Sequence, residues 1–68
     1  MTRLRTLRYQ LTLTQVELAA KAGLAPSTVA QIERGHHERL KVTTIRKLAA
    51  ALAVEPYEVD ELRAAIEG

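Results

Sequence analysis

Ser27, Thr28 and Gln31 stand within one short stretch, with Pro26 just ahead of them and Val29 and Ile32 interleaved. A carboxamide donates and accepts in one plane and a hydroxyl does either, so this set suits recognition by hydrogen bonding. Bond-making chemistry finds little to use. The chain has one serine, no cysteine and no glycine-rich phosphate loop, and nothing in it resembles an activated nucleophile with its base. No enzyme activity and no cofactor are expected. His36 and His37 are adjacent, whereas metal ligands on a helix need i, i+4 spacing or a third partner, so no metal site is expected either.

Two short helices must position these side chains. Thr14 followed three places later by Glu17 is a capping box, and Leu13 with Leu18 fits the hydrophobic staple around it, which predicts a helix start at Thr14. Ala19 is a small residue on the inner face that lets a second helix cross closely. Gly23 supplies the positive φ that ends the first helix after about two turns. Leu24 can plug the corner, and Pro26 suits the first turn of the next helix, where a missing amide proton costs nothing. Val29 and Ile32 then form a buried i, i+3 stripe, which leaves Pro26, Ser27, Thr28, Ala30 and Gln31 outside.

The rest of the chain reads as three more helices. Residues 2 to 11 place Leu4, Leu7 and Leu11 on one face, with Arg3, Arg5 and Arg8 on the others. Residues 44 to 53 carry Ile45, Leu48, Ala49 and Leu52 at helical spacing, with Thr43 or Thr44 as N-cap. Pro56 is expected to open a last helix, with Glu58, Asp60 and Glu61 near its positive end and Val59, Leu62 and Ile66 on one stripe. No segment reads as a strand, a repeat or a linker. The expectation is one all-α domain over 1–68, with the two-helix motif at about 14–34.

Sixty-eight residues is near the lower size limit for a domain, where about 60% of the unfolded chain's surface is buried. The absence of cysteine removes disulfides and thiolate zinc sites as support. No apolar h-region follows the first residues, and no run approaches the roughly 20 apolar residues of a membrane span. No membrane association is expected, and the location expected is cytoplasmic. Net charge is only +2, yet residues 1–47 hold nine Lys/Arg against three Glu, whereas residues 48–68 hold one Arg against five acids. A basic front meets a polyanion favourably and releases its counterions, while an acidic back opposes wrong-way docking. Combined with the two-helix motif, this polarity points to double-stranded DNA.

The segment from Leu13-Thr14-Gln15 through Leu18-Ala19, Gly23 and Ser27-Thr28-Val29 to Glu33-Arg34-Gly35 closely resembles the helix-turn-helix of the Cro/C1-type (XRE) repressor family. Leu4 to Arg8 resembles that family's first helix and Lys47 to Val54 its fourth, so the resemblance covers nearly the whole chain. It implies a compact five-helix lambda-repressor-like DNA-binding domain of bacterial, archaeal or phage origin. Because a helix in the major groove reads base edges with side chains near its N-terminus, Ser27, Thr28 and Gln31 are the expected readers, with Gln31 the most selective. Pro26 stands where many relatives carry a longer polar residue, so it offers at most an apolar contact. For Ser27 and Thr28 the alternative is that they merely help start the helix.

Gln15 resembles the family glutamine whose side chain and amide meet a phosphate. Arg34, Arg39 and Lys41 leave the recognition helix and are expected to contact the backbone, positioning without specifying. The loop they flank is about one residue longer than the common family pattern and lacks its usual proline. The resemblance further implies an ion pair between Arg8 and Glu33, and it places Thr12 where the family usually has glycine. Relatives bind as two-fold dimers on half-sites about one helical turn apart, so a homodimer is expected. Its surface would include Leu62, Ala65 and Ile66, unless these pack on Leu4 and Leu7 of the same chain. No small-molecule ligand is expected. The reading that follows is a transcriptional regulator, most simply a repressor. A restriction-modification controller or antitoxin-type autoregulator would use the same fold, and a protein-interaction module would use the same surface without DNA.

Overall fold

The computed structural model describes residues 2–36 and 40–67, and within them every regular element is helical. The helices are α1 (Leu4–Gln10), α2 (Gln15–Ala22), α3 (Pro26–Glu33), α4 (Val42–Leu52) and α5 (Asp60–Glu67), with a 3-10 turn at Pro56–Glu58 before α5.

Helix α2 begins at a closed capping box. The Glu17 amide donates to the Thr14 hydroxyl at 3.1 Å, and the Thr14 amide donates to the Glu17 carboxylate at 2.8 Å. It ends at Gly23 with φ +72°, after which the Leu24 amide reaches back to the Ala19 carbonyl at 2.8 Å. That bond turns the chain into α3, which opens on Pro26 with Ala25 as a cap that contributes no side-chain bond. Ala19 is fully buried, so its missing bulk lets the two helices approach closely.

All five helices supply the same core. Leu4, Leu18, Val29, Ile32, Leu48 and Leu62 are essentially sealed from solvent, joined by Ile45, Leu52 and Val59, with Leu7, Leu13, Leu24 and Ala65 packed around them. Removing each large aliphatic side chain from water contributes about 1.5–3 kcal/mol, which is what holds helices this short.

Three helices differ from the sequence expectation at their boundaries. Helix α1 starts at Leu4 because the Thr2 backbone is engaged elsewhere, its amide donating to the Glu58 carbonyl at 3.0 Å and its carbonyl accepting from the Asp60 amide at 2.9 Å. The same pairing pins Val59 in extended conformation, so the helix expected from Pro56 is split into the 3-10 turn and α5. Leu11 ends α1 and is largely exposed. Helix α4 starts at Val42 with Lys41 as N-cap and no side-chain bond, so Thr43 and Thr44 lie inside its first turn and do not cap it. Between α1 and α2, Thr12 adopts φ +56°, a left-handed conformation that a β-branched residue rarely takes.

Candidate nucleic-acid interface

Helix α3 has two unlike faces. Val29 and Ile32 are buried, while Pro26, Ser27 and Gln31 are exposed and Thr28 is half-buried. The polar set is therefore displayed outward from a helix whose inner stripe is fixed by the core. Arg34 follows at the C-terminal end of α3 and Lys41 at the start of α4, both exposed. Arg39 and His37 lie outside the described residues, and His36 is exposed. Among the described residues no group of His, Cys, Asp and Glu could hold a metal ion.

Behind the exposed face sits a charged joint that ties three helices together. The Arg8 guanidinium donates twice to Glu33, from Nε to Oε2 at 2.7 Å and from Nη2 to Oε1 at 3.0 Å, and once from Nη1 to the Leu13 carbonyl at 3.1 Å. Gln15, at the first position of α2, donates from Nε2 to the same Oε1 at 3.0 Å. The Arg8 side chain is 8% exposed and that of Glu33 fully enclosed. Burial pushes the Glu33 carboxyl up. The hydrogen bonds from Arg8 and Gln15, the Arg8 charge and the Arg5 contact outweigh that and hold it below the ordinary carboxylate range. Arg8 is raised in turn, chiefly by its hydrogen bond to Glu33, against burial that acts the other way.

Several members of this joint are not in the sequence expectation. Arg5 approaches Glu33 Oε1 through Nε at 3.5 Å with its side chain 55% exposed, and the Arg8 guanidinium carbon sits 4.8 Å from the centre of the Tyr9 ring. The Arg5 contact leaves a trace in the sequence, since Arg5 precedes Arg8 by three and so shares its helix face. Gln15 has its side chain turned onto Glu33, so a phosphate would find its backbone amide free of that bond while the carboxamide must leave Glu33 to reach it.

The three residues expected at a dimer surface are differently placed. Leu62 is fully buried in the core and closed to any partner, Ala65 packs against the core, and Ile66 is exposed. A stripe read from periodicity cannot distinguish the inner edge of a terminal helix from its outer one.

Similarity to known proteins agrees with this architecture. The helix-turn-helix family model HTH_3 matches residues 4–59. The chain is 46% identical over 55 residues to RghRB of Bacillus subtilis, described as an uncharacterized HTH-type transcriptional regulator, covering 81% of this chain and 39% of that protein. It is 45% identical over 53 residues to the putative antitoxin HigA2 of Mycobacterium tuberculosis, covering 78% of this chain and 52% of that protein. The chain thus spans about half or less of the length of these relatives. No solved structure is a significant match. With a matching family model from α1 through the 3-10 turn and two relatives above 40% identity, the chain belongs to the helix-turn-helix family of the Cro/C1 (XRE) type.

Proposed function

We propose that this chain is a sequence-specific DNA-binding transcriptional regulator that inserts α3 into the major groove and represses by occupying an operator. The observation that carries the reading is the two-faced α3: Val29 and Ile32 anchor it in the core while Pro26, Ser27 and Gln31 face outward with Thr28 at their edge. Gln31 pairs with adenine N6 and N7, and Ser27 and Thr28 donate to or accept from neighbouring base edges. Arg34, Arg39, Lys41 and the first turn of α2 at Gln15 hold the phosphates.

Two copies bind a two-fold site. Ile66, with Ala65 at its margin, is the part of α5 left for the dimer contact. Antitoxin-type autoregulation is the second reading, favoured by the likeness to the putative antitoxin of Mycobacterium tuberculosis.

Selection from random duplexes of about 30 bp, with sequencing of the retained pool at moderate salt, tests the proposal. An enriched inverted repeat with half-sites about one turn apart supports it. Retention without enrichment removes sequence-specific regulation and favours a protein-interaction role for the same surface.

A further inference from the structure

In the Arg8–Glu33 joint two guanidiniums approach one carboxylate. Arg8 and Gln15 already bond both Glu33 oxygens at 2.7 to 3.0 Å. Arg5 is left with the weak position, 3.5 Å from Oε1 and outside the donor–acceptor range of a good charge-assisted hydrogen bond. The two arginines are also differently placed. Arg8 is enclosed and has a third bond to the Leu13 carbonyl, so it is committed to the fold, whereas the Arg5 side chain is 55% exposed and free to rotate outward.

We propose that Arg5 is a DNA-phosphate contact, an anion-binding role added to the interface by the first helix. This rests on the DNA reading above. Arg5 lies against the same carboxylate oxygen as Gln15, the residue that starts α2 beside the last turn of α3. When α3 is in the groove, that joint is carried to the groove's edge, where the backbone runs. There the Arg5 guanidinium exchanges a long contact with an already bonded carboxylate for a phosphate oxygen, displacing a condensed counterion. Glu33 keeps both oxygens bonded, because Arg8 alone donates to each of them. The loose contact with Glu33 thus keeps Arg5 near the interface without committing it.

The test compares wild type, Arg5→Ala, Arg5→Lys and Arg63→Ala binding a 30-bp random-sequence duplex pool across a range of salt, each variant checked by thermal melting. Arg63 lies on α5 within the acidic back half and serves as the control for simple loss of one charge. Counterion release predicts that Arg5→Ala flattens the slope of log affinity against log salt by about 0.9 per bound protomer. A fourfold rise in salt then weakens wild type roughly three to four times more than the variant. Arg5→Lys keeps the wild-type slope, Arg63→Ala leaves it unchanged, and all variants melt within about 8 °C of wild type. An Arg5→Ala slope equal to wild type, or matched by Arg63→Ala, overturns the contact while leaving DNA binding intact. A wild-type chain that shows no salt-sensitive binding at all overturns the DNA reading itself, and this proposal with it.

Discussion

Arg8 on α1 and Glu33 on α3 meet as a two-pronged ion pair, Nε to Oε2 at 2.7 Å and Nη2 to Oε1 at 3.0 Å, with both side chains withdrawn from solvent. The pair fixes the end of α3 relative to the first helix. It also sets the stability cost of disturbing either residue, because a lone charge left inside is worse than no charge at all.

Glu33→Gln keeps the shape and removes the charge, so Arg8 is left buried without its counter-ion. The expected loss is about 3–5 kcal/mol. For a domain of this size that lowers the melting temperature by more than about 12 °C. Replacing both partners with apolar residues, Arg8→Met with Glu33→Leu, recovers much of the loss. Calorimetry of the three proteins checks this, and equal melting of Glu33→Gln and wild type would show that the pair contributes little.

The same carboxylate makes stability depend on pH. Its folded-state value lies below the ordinary carboxylate range, so its contribution is complete above the unfolded value, about pH 4.3, and is lost as pH falls through the lower folded value. The stability difference between wild type and Glu33→Gln should therefore be constant near neutrality and shrink on acidification below about pH 4. Denaturant titrations at a series of pH values measure it. A difference that grew towards acid would reverse the assigned shift.

Thr12 turns the corner between α1 and α2 with φ +56°, and its hydroxyl donates to the Leu11 carbonyl at 2.6 Å. Left-handed backbone costs a non-glycine residue about 1–2 kcal/mol. Glycine adds about 0.5–1 kcal/mol of unfolded-chain entropy. Thr12→Gly should accordingly stabilise the domain by up to about 1 kcal/mol and raise its melting temperature by a few degrees. A lower melting temperature would mean that the hydroxyl bond outweighs the strain.

What could be read from the sequence follows how local the cause is. The capping box at Thr14 and Glu17, the Gly23 stop and the Pro26 start each involve residues a few positions apart, and each sits at a helix end in the structure. The outward set on α3 follows from the Val29 and Ile32 period in the same way. The start of α1 does not. Its first amide, on Leu4, donates to the Glu61 carboxylate at 2.9 Å from 57 positions away, and Thr2 is held by backbone groups at Glu58 and Asp60. No pattern near residue 4 signals partners at the other end of the chain. The break at Val59 has the same distant origin, and of the expected stripe Val59 and Leu62 are buried while Ile66 is exposed. The Arg8–Glu33 pair is what the family resemblance implies, whereas the second arginine at that carboxylate, Arg5, is not in the expectation.

That difference along α5 separates fold from assembly. Leu62→Ala removes a fully buried side chain and should cost about 2–5 kcal/mol. Ile66→Ala removes an exposed one and should change stability by under about 0.5 kcal/mol. If Ile66 lies in the dimer contact, sedimentation equilibrium will show weaker self-association for Ile66→Ala at unchanged monomer stability. Identical association of variant and wild type would move the contact away from this part of α5.

The most direct test of the central claim is a pair of parallel selections from one random duplex pool, with wild type and with Gln31→Ala, both proteins first shown to melt alike. Gln31 is exposed on α3, so its truncation leaves the core untouched. The account predicts an enriched motif for wild type that relaxes at one base pair per half-site for the variant, where about 1–3 kcal/mol of discrimination disappears, with the other positions unchanged. The same motif with the same preferences from both proteins would contradict the placement of α3 in the groove.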